Sequence, residues 1–426
     1  MLEIQTVRQN PEEAIQKLSA RGVPDAAAAI KNLVSLDDQR KSILTGLESL
    51  RYEMNQTSAS VAQLKKGGRH SEADQAIART ADIKAEIKQL EQSLAEVQTA
   101  TYALMVTLPN LTHSSVPVGR DANDNVVVAR NEIAVTFGFE ALPHWELARK
   151  HDIIDWELGA KITGAGFPVY KGKGARLQRA LIGFFLDRAR EAGYLEIQPP
   201  LMINEASGFG TGQLPDKEGQ MYEATLDKLY LIPTAEVPIT NLYRDMILSE
   251  ADLPVKNCGY TPCFRREAGS YGKDVKGLNR LHQFDKVELV QLSVPEGSYD
   301  RLEEMTQHAE SLLQALELPF RRLLLCTGDM GFTSAKTYDL EVYSAGQERW
   351  LEVSSVSNFE TFQTNRLKLR YRDENKKTQL LHSLNGSALA LPRVVAALLE
   401  NNQQADGSIL IPAALRPYTG FDRIGD

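Results

Sequence analysis

The sequence has 426 residues, of which 42% are hydrophobic and 24% are charged, and its formal net charge is −8. These proportions are typical of a globular protein with two or three domains. The negative charge argues against a protein that binds nucleic acid over its whole surface, so any such contact should be local.

The compartment follows from the N-terminus and the cysteines. No stretch approaches the roughly 20 apolar residues of a membrane span, and the start MLEIQTVRQNPEEA lacks the basic and then apolar pattern of a signal peptide. We therefore expect a cytoplasmic protein with no membrane segment. Cys258, Cys263 and Cys326 form no C-x-x-C pair, which favours buried free thiols over a zinc site.

Residues from about 27 to 103 have few Gly or Pro and carry apolar residues at seven-residue spacing. Such heptads are typical of a coiled coil. The pair Gly67-Gly68 should break the helix, so we predict two antiparallel helices that pack on each other. The expected seam positions are Ile30, Leu33, Leu44, Leu47, Met54 and Val61 in the first helix and Ile83, Ile87, Leu90, Leu94, Val97, Thr101 and Leu104 in the second.

Three cations, Lys65, Lys66 and Arg69, cluster at the turn of this helical pair. Residues 27–103 hold ten Lys or Arg and ten Asp or Glu, so the pair is locally neutral within an acidic protein. Phosphate contacts at the turn are one interpretation. A coiled coil that dimerises the protein is the other, and the heptads alone do not decide between them.

The middle of the chain begins with a predicted linker at residues 106–134, where Pro109, Pro117 and the run GRDANDNVV occur. The main domain should start near residue 135. Within GARLQRALIGFFLDRAREAGYLEIQPPLM, helical spacing of apolar residues gives way at Gly193 to a short strand that ends at Pro199 and Pro200.

The run LYLIPTAEVPIT predicts a strand that leads into Thr234, Ala235 and Glu236. A hydroxyl and a carboxylate just beyond a strand can cap the next helix. They can equally contact a ligand, and the run alone leaves both interpretations open.

A Gly-rich turn lies between the strand-like flanks CFRRE and HQFDKVELV, a pattern that predicts a β-hairpin. Alternation places Arg265 and Glu267 on one face of the first strand. Phe284, Lys286 and Glu288 then share one face of the second. A guanidinium clamps phosphate, a carboxylate accepts from an adenine amino group or an ammonium, and a ring stacks on a base. The hairpin thus suits a nucleoside triphosphate and an amino acid, with a solvated face as the alternative.

Two later segments add polar groups. RWLEVSSVSNFETFQ is rich in strand formers and carries Glu352 and Ser355, oxygen ligands that suit Mg²⁺ beside phosphate; a polar edge strand is the alternative. In SLNGSALALPRVVAALLENNQ, Asn385, Gly386 and Ser387 should join a strand to a helix. Arg393 lies near the start of that helix, where a cation is unfavourable unless it has an anionic partner. No P-loop pattern occurs.

The run FRREAGS followed by GLNRLHQFDKVE closely resembles the second signature motif of class II aminoacyl-tRNA synthetases, in the version carried by bacterial-type seryl-tRNA synthetases. Other segments match in the right order. The helix and strand that end at Pro200 resemble the first motif, which lies at a dimer interface, and the segment with Arg393 resembles the third. The resemblance covers essentially the whole chain.

This resemblance implies an α+β fold, with a tRNA-binding domain at residues 1–105 and a linker at 106–134. A class II catalytic domain, an antiparallel sheet flanked by helices, would follow at 135–426 and form a homodimer. It favours the tRNA interpretation of the antiparallel coiled-coil arm, because the family grips the long variable arm of its tRNA there. The implied reaction attaches L-serine to tRNA(Ser) through seryl-adenylate, with ATP and Mg²⁺, and tRNA(Sec) is a second candidate substrate.

The resemblance also assigns residues. The serine-binding set is Thr234, Ala235, Glu236, Arg265, Glu288, Asn385 and Ser387. The ATP-binding set is Arg265, Arg266, Glu267, Phe284, Glu352, Val353, Ser354, Ser355 and Arg393. Within these sets Arg265, Glu267 and Arg393 are expected to be catalytic, and Glu352 and Ser355 to hold Mg²⁺. The expected tRNA contacts are Lys65, Lys66 and Arg69.

Some positions depart from the family pattern, which has Asp in place of Thr361, an Arg pair in place of Asn365 and Arg366, and often Ser in place of Arg266. These changes concern the finer placement of the ribose and the acceptor end. Two alternatives are a catalytically silent relative that binds RNA and a ligase that charges a carrier protein. The intact set of catalytic residues argues against the first, and the arm with its basic tip argues against the second.

Overall fold

The computed structural model describes residues 1–216, 218–267 and 276–425. It divides into two compact units, Met1–Pro109 and Asn110–Asp426. Gly269 and Gly272 of the predicted turn lie outside the described residues.

Helices occur in both units, whereas every strand of the described ranges belongs to the second unit. The α-helices are α1 (Ile4–Gln9), α2 (Pro11–Ala20), α3 (Ala26–Lys66), α4 (His70–Met105), α5 (His144–Lys150), α6 (Trp156–Ile162), α7 (Gly172–Glu191), α8 (Glu205–Thr211), α9 (Glu236–Asn241), α10 (Ser298–Ala315), α11 (Phe362–Leu367), α12 (Leu391–Asn401) and α13 (Arg416–Thr419). The strands are β1 (Val126–Arg130), β2 (Ile154–Asp155), β3 (Val169–Tyr170), β4 (Leu195–Glu196), β5 (Met202–Asn204), β6 (Glu223–Ala224), β7 (Leu229–Leu231), β8 (Ile247–Ser249), β9 (Val255–Phe264), β10 (Gln283–Ser293), β11 (Phe320–Leu324), β12 (Lys336–Ser344), β13 (Arg349–Asn358), β14 (Arg370–Arg372), β15 (Thr378–Leu380), β16 (His382–Ala390), β17 (Ile409–Leu410) and β18 (Arg423–Ile424).

The two long helices of the first unit form the predicted antiparallel hairpin. Helix α3 ends at Lys66, and Gly68 adopts a positive φ of 72° in the turn before α4. Ion pairs cross between the helices, with Arg51 Nη2 2.9 Å from Glu91 Oε1 and Arg79 Nε 2.8 Å from Glu53 Oε1. These pairs join positions nearly equidistant from the turn, which confirms the antiparallel coiled-coil arrangement.

The seam of this hairpin follows the heptads with one correction. Leu33, Leu47 and Ile83 are buried, but Leu44 is 36% exposed and does not belong to the seam. Ile43 is partly buried instead. A straight α-helix has 3.6 residues per turn rather than 3.5, so a strict seven-residue count drifts off the contact line and steps of three and four must alternate.

The second unit is built on an eight-stranded sheet with the order β1-β11-β12-β13-β16-β10-β9-β4. Strands β9 and β10 pair antiparallel, with Cys263 opposite Phe284 and Gly259 opposite Glu288, so the predicted hairpin is confirmed. Strand β10 also pairs antiparallel with β16, and β4 joins β9 in parallel. The sheet is therefore antiparallel except at one edge.

Three helices, α7, α10 and α12, cover one face of this sheet. Leu181 and Phe185 of α7 are fully buried, as are Leu312 of α10 and Val394 of α12, and all four belong to the main apolar cluster. Val287 of β10 joins the same cluster. Because side chains alternate along a strand, the neighbours of Val287 point to the opposite face, where polar groups are free to meet a ligand.

Part of the predicted linker belongs to this sheet. Val126 pairs with Leu324 and Arg130 with Arg321, so β1 is an edge strand of the sheet. The side chain of Asn110 also donates to the carbonyl of Phe359 at 2.8 Å. Proline and polar residues predicted an irregular segment, whereas the short run VVVAR within it has the β-branched residues of a strand.

The three cysteines and the apolar character of the helices are two general features of the chain. Cys258, Cys263 and Cys326 are free and buried, as predicted. No helix in the described ranges is long and apolar enough to cross a membrane.

Candidate active site

The polar face of β10 meets the turn that leads into α9. Lys286 Nζ donates to Thr234 Oγ1 at 2.9 Å and forms an ion pair with Glu288. The Thr234 hydroxyl donates to Glu288 Oε2 at 3.2 Å, and Asn385 Nδ2 donates to Glu288 Oε1 at 3.2 Å. Glu288 is only 1% exposed. A buried carboxylate surrounded by three donors is a preorganised acceptor for a small polar ligand.

Glu236 lies in the same buried region. Its Oε1 accepts from Gln363 Nε2 at 2.7 Å, and the Gln363 side chain is held in turn by the Ser383 hydroxyl. The Glu236 carboxylate does not cap α9, whereas the Thr234 hydroxyl does accept from the backbone N–H of Glu236 at 3.2 Å. The Thr234 hydroxyl therefore accepts a bond at the start of α9, much as the capping interpretation expects, whereas the carboxylate of Glu236 stays available to a ligand.

Burial and the nearby Glu288 carboxylate raise the pKa of Glu236 to about 7. The hydrogen bond from Gln363 and the charges of Lys286 and Arg265 act in the opposite direction but do not outweigh burial. Ala235, at the N-cap of α9, is fully buried and offers only its backbone.

Arg265 and Glu267 lie beyond the end of their strand, which is a correction to the predicted shared strand face. Strand β9 ends at Phe264, and Glu267 has a positive φ of 48°. The Arg265 guanidinium lies 5.2 Å from the centroid of the Phe284 ring, and its Nε donates to the Pro233 carbonyl at 3.3 Å. The backbone N–H of Arg265 donates to the His282 carbonyl at 2.9 Å, so the β9–β10 register continues to Arg265 and brings its side chain to Phe284, which lies opposite Cys263.

Glu267 and Arg266 make separate contacts. Glu267 Oε2 lies 3.3 Å from Arg280 Nε, and the backbone N–H of Glu267 donates to Gln220. The Arg266 guanidinium lies 5.2 Å from the Tyr222 ring centroid and donates to the Met221 carbonyl. The structure therefore gives Arg266 different neighbours from those of Arg265.

A β-bulge shapes the strand that carries Glu352 and Ser355. The register of β12 and β13 shifts between Leu340, which faces Ser354, and Glu341, which faces Glu352. In a regular strand two residues three apart point to opposite faces. The extra residue of the bulge, Val353, cancels that difference. Glu352 and Ser355 can therefore serve one site, which strict alternation would forbid.

The same bulge limits how Val353 and Ser354, two of the predicted ATP contacts, could meet a nucleotide. Val353 is 1% exposed and packs in the main apolar cluster, and the Ser354 hydroxyl donates to the Ser387 carbonyl at 2.7 Å. Their side chains are therefore occupied within the fold. Any contact of Val353 or Ser354 with a nucleotide would involve the backbone.

Asp339 is a site residue that the sequence analysis missed. It faces Ser355 across the β12–β13 ladder, and burial, followed by the charge of Glu352, raises its pKa well above the usual range. Its Oδ1 is buried without a hydrogen-bond partner in the described part of the chain. An orphaned carboxylate oxygen beside Glu352 and Ser355 fits a hard cation such as Mg²⁺. Within the described ranges, however, no group of three His, Cys, Asp or Glu side chains could hold a metal alone.

Arg393 lies in the first turn of α12 and has the anionic partner that its position requires. Its Nη1 lies 3.7 Å from Glu352 Oε2 and donates to the Glu352 carbonyl at 2.8 Å, and its Nε donates to the Asn279 carbonyl at 3.0 Å.

Asn385 and Ser387 lie within β16, which extends to Ala390, rather than in a connection between strand and helix. Ser387 faces Glu288 in the ladder.

The sequence of this chain is similar to those of known proteins. A family model described as "Seryl-tRNA synthetase N-terminal domain" matches residues 1–112, and one described as "tRNA synthetase class II core domain (G, H, P, S and T)" matches residues 221–402. A curated Salinibacter ruber protein named Serine--tRNA ligase is 55% identical, with 100% of this chain and 99% of the relative covered. The chain belongs to the seryl-tRNA synthetase family.

Other seryl-tRNA synthetases support the same membership. Serine--tRNA ligase of Carboxydothermus hydrogenoformans is 47% identical, with 100% of this chain and 99% of the relative covered. The crystal structure of seryl-tRNA synthetase from Pyrococcus horikoshii complexed with ATP matches with a TM-score of 0.94 at 36% identity, over 100% of this chain and 99% of that chain. The similarity thus extends over both units.

The predicted tRNA contacts lie at the turn between α3 and α4. Lys65 and Lys66 are exposed, at the end of α3. Arg69 is also exposed, but its Nε donates to Glu72 Oε1 at 2.6 Å. Lys65 and Lys66 are therefore better placed to contact phosphate than Arg69, whose charge is already paired.

Lys286 and Gln363 are further residues of the site that the predicted sets omit. Lys286 was on the predicted polar face of β10, so its place between Thr234 and Glu288 could have been inferred from alternation. Gln363 comes from α11, and nothing in its local sequence indicates that it would meet Glu236.

Arg366 is one of the positions that depart from the family pattern. It is buried, and its guanidinium lies 4.7 Å from the Phe209 ring centroid.

Proposed function

We propose that this chain attaches L-serine to tRNA(Ser) in two steps that consume ATP. The serine carboxylate attacks the α-phosphate of ATP to give seryl-adenylate and pyrophosphate, and the terminal adenosine hydroxyl of the tRNA then takes the acyl group. The observation that carries this proposal is the buried cluster of Thr234, Glu288 and Asn385, together with the Arg265 guanidinium over Phe284.

Serine would be recognised by the carboxylates of this cluster. Glu288 keeps its place through Lys286, Thr234 and Asn385, so its oxygens are aimed before the ligand arrives. Glu236, the second buried carboxyl, is the natural partner for the serine ammonium when it is ionised. Ala235 and Ser387 line the proposed site, and either Glu288 or Ser387 would meet the serine hydroxyl.

ATP would bind through charge and stacking. Arg265 would clamp the α-phosphate, Phe284 would stack on adenine, and Glu267 would accept from the adenine amino group. Arg393 would contact the other phosphates. The attacking carboxylate is already anionic and needs no general base, so catalysis rests on positioning and on neutralising phosphate charge.

Glu352 and Ser355, together with Asp339, have the oxygen donors that suit Mg²⁺ shared with ATP phosphates. Bound there, the ion would neutralise phosphate charge. The Arg393 guanidinium, whose Nη1 lies 3.7 Å from Glu352 Oε2, would act on the same phosphates as an ion held there.

The arm, proposed as part of a tRNA-binding domain at residues 1–105, would hold the tRNA by shape and backbone contacts, with Lys65, Lys66 and Arg69 on phosphates. The catalytic domain would comprise residues 135–426, and the β1 strand of the preceding segment pairs with its β11 strand. We propose a cytoplasmic homodimer in which the segment of α7 to Pro200 contributes to the interface. Charging of tRNA(Sec) is a further proposal.

The decisive experiment measures ATP–pyrophosphate exchange with each of the twenty amino acids, followed by aminoacylation of purified tRNA(Ser) and tRNA(Sec). Exchange that depends on serine, with acylation of tRNA(Ser), is the expected result. Exchange without any tRNA acylation would favour a carrier-protein ligase. No exchange with any amino acid would contradict the proposal and favour a silent relative.

A further inference from the structure

A buried polar cluster that none of these roles uses lies around His144 and Glu400, both 0% exposed. Within the described residues, five donors surround the Glu400 carboxylate: the backbone N–H groups of His144 and Gly346, His144 Nδ1, the Ser344 hydroxyl and Gln347 Nε2. Burial acts to raise the pKa of Glu400, but the hydrogen bonds from His144 and Ser344 outweigh it and hold the pKa below its usual range.

His144 has one tautomer that fits its two neighbours. The backbone N–H of Leu278 donates to His144 Nε2 at 2.8 Å, so Nε2 must carry a lone pair. The ring proton then lies on Nδ1 and is donated to Glu400 Oε1 at 2.7 Å. Glu400 thereby fixes the ring in the form that can accept from Leu278.

The segment 276–279, which contains Leu278, is held by more than this bond. Trp156 Nε1 donates to the Gly277 carbonyl at 3.3 Å, and Lys276 Nζ lies 4.4 Å from the Trp145 ring centroid. Gly277 has a positive φ of 67°, and a Cβ added there would lie 2.2 Å from His144 Nε2. Only glycine allows the backbone to approach the ring so closely.

The same segment reaches the site through Asn279. Its side-chain Nδ2 donates to Gln347 Oε1 at 2.8 Å, and its carbonyl accepts from Arg393 Nε at 3.0 Å. A displacement of Leu278 would carry Asn279 with it and remove a hydrogen bond that orients the Arg393 guanidinium. The chain of contacts therefore runs from Glu400 through His144 to Arg393.

We propose that His144, held in one tautomer by Glu400, is a positioning residue for the ATP step. It anchors the segment 276–279 and thereby sets the direction of the Arg393 guanidinium. This inference rests on the proposed function, because the role of Arg393 toward ATP does.

Two substitutions separate the two hydrogen bonds of the His144 ring. The side-chain amide nitrogen of Asn is as many bonds from Cβ as Nδ1 of His, and the side-chain amide oxygen of Gln is as many bonds from Cβ as Nε2 of His. His144→Asn should keep the donor to Glu400 and lose the acceptor for Leu278, whereas His144→Gln should keep the acceptor and lose the donor. We expect His144→Asn to raise the KM for ATP about tenfold, the size of one lost buried hydrogen bond. His144→Gln should stay within about threefold of the parent.

The KM for serine and the unfolding temperature distinguish positioning from simple support of the fold. With His144→Asn, the KM for serine should change less than about twofold, because the contacts of Glu288 are untouched. His144→Gln leaves a buried carboxylate short of a donor, so it should be the less stable variant although the more active one. Activity that follows stability, or equal losses for ATP and serine, would overturn the inference.

Three further measurements complete the test. His151→Asn is the matched control. In the described residues, His151 Nε2 bonds only to the Gly407 carbonyl, at 2.8 Å, so the ATP KM of this variant should not change.

A second variant applies if both His144 variants fail to fold. Trp156→Phe removes only the donor to Gly277 and should raise the ATP KM alone, about threefold. An unchanged ATP KM would overturn the inference. In an Arg393→Lys background, the effect of His144→Asn on the ATP KM should be smaller. Fully additive effects of the two substitutions would contradict the inference that His144 acts through Arg393.

The proposed function and this inference fail differently. A parent protein without serine-dependent exchange would contradict the function itself. A normally active parent whose His144→Asn variant binds ATP normally would contradict the inference alone.

Discussion

Glu236 and Glu288 are two buried, neighbouring carboxyl groups with different partners. Glu288 is paired with the Lys286 ammonium, whereas Glu236 accepts from the neutral amide of Gln363. Burial of Glu236, and after it the charge of Glu288, raise the pKa of Glu236 to about 7. Glu236 can therefore change its protonation near neutral pH.

Serine binding should depend on pH through Glu236. The ammonium of serine favours the ionised carboxyl, so the affinity for serine should rise as the pH increases through about 7 and then level off. Calorimetric titration of serine between pH 6 and pH 8.5, values that span about one unit or more on each side of that pKa, measures this. In Glu236→Gln the affinity should be weak and nearly independent of pH, and an unchanged pH profile there would contradict the assignment.

The same shift predicts the opposite trend for the stability of the ligand-free protein. The pKa of Glu236 is higher in the fold than its ordinary value of 4.5, so the folded state binds the proton more tightly. This contribution to the free energy of unfolding is fully present below pH 4.5 and is lost as the pH rises through about 7. Comparison of unfolding temperatures of the parent and Glu236→Gln should show the parent losing its advantage over that range.

Alanine should be activated very poorly. A site built to bind a hydroxyl rejects the analogue that lacks it by up to about 10⁴-fold, because its buried polar groups are left unpaired. Glu288, with its ring of donors, is such a group. The measurement is kcat/KM for exchange with alanine and with serine, and comparable values for the two would contradict the serine assignment.

Arg265→Lys should lower kcat/KM for ATP by about 10²-fold or more, because lysine keeps the charge but loses the planar fork. Lysine also cannot stack on Phe284 while it reaches a phosphate. Pre-steady-state formation of adenylate checks this, with unfolding temperature as the test of folding. Arg416→Lys is a matched control, since Arg416 Nε likewise donates to a carbonyl, that of Ile411, at 3.0 Å. Near-normal activity of Arg265→Lys would place the phosphate clamp elsewhere.

Removal of the arm should separate activation from transfer. A chain that lacks residues 1–105 keeps Asn110, whose side chain bonds to the carbonyls of Thr333 and Phe359. We expect it to fold, to dimerise and to retain serine-dependent exchange, because each unit has its own core. Transfer of serine to tRNA should nearly vanish. If the truncated chain charges tRNA as well as the full chain does, the arm is a structural or dimerising element.

A milder change tests the tip of the arm. Lys65→Ala with Lys66→Ala should weaken tRNA binding and flatten its salt dependence by up to about two phosphate contacts. Lys376→Ala with Lys377→Ala removes an adjacent, exposed lysine pair elsewhere and serves as the control. Arg69→Ala should have a smaller effect, because Arg69 is already paired with Glu72. Equal salt slopes for the two double variants would remove the tip from the tRNA interface.

The local features of this protein could be predicted from its sequence. The helical hairpin follows from heptads and the Gly67-Gly68 turn, and the polar face of β10 follows from alternation. These are properties of near neighbours in the chain, where backbone geometry alone relates one side chain to the next. The resemblance of the signature segments added the fold and the family, which the comparisons then showed.

Only the tertiary structure decided how distant segments meet. Gln363 bonds to Glu236 from another helix, and Asp339 lies opposite Ser355 in the β12–β13 ladder. Leu44 is exposed, although a count in steps of seven had placed it in the seam. The bulge at Val353 is the clearest case, because one extra residue reverses the face of everything on one side of it. Such a register depends on the pairing partner of a strand, and that partner is fixed by packing between residues far apart in sequence.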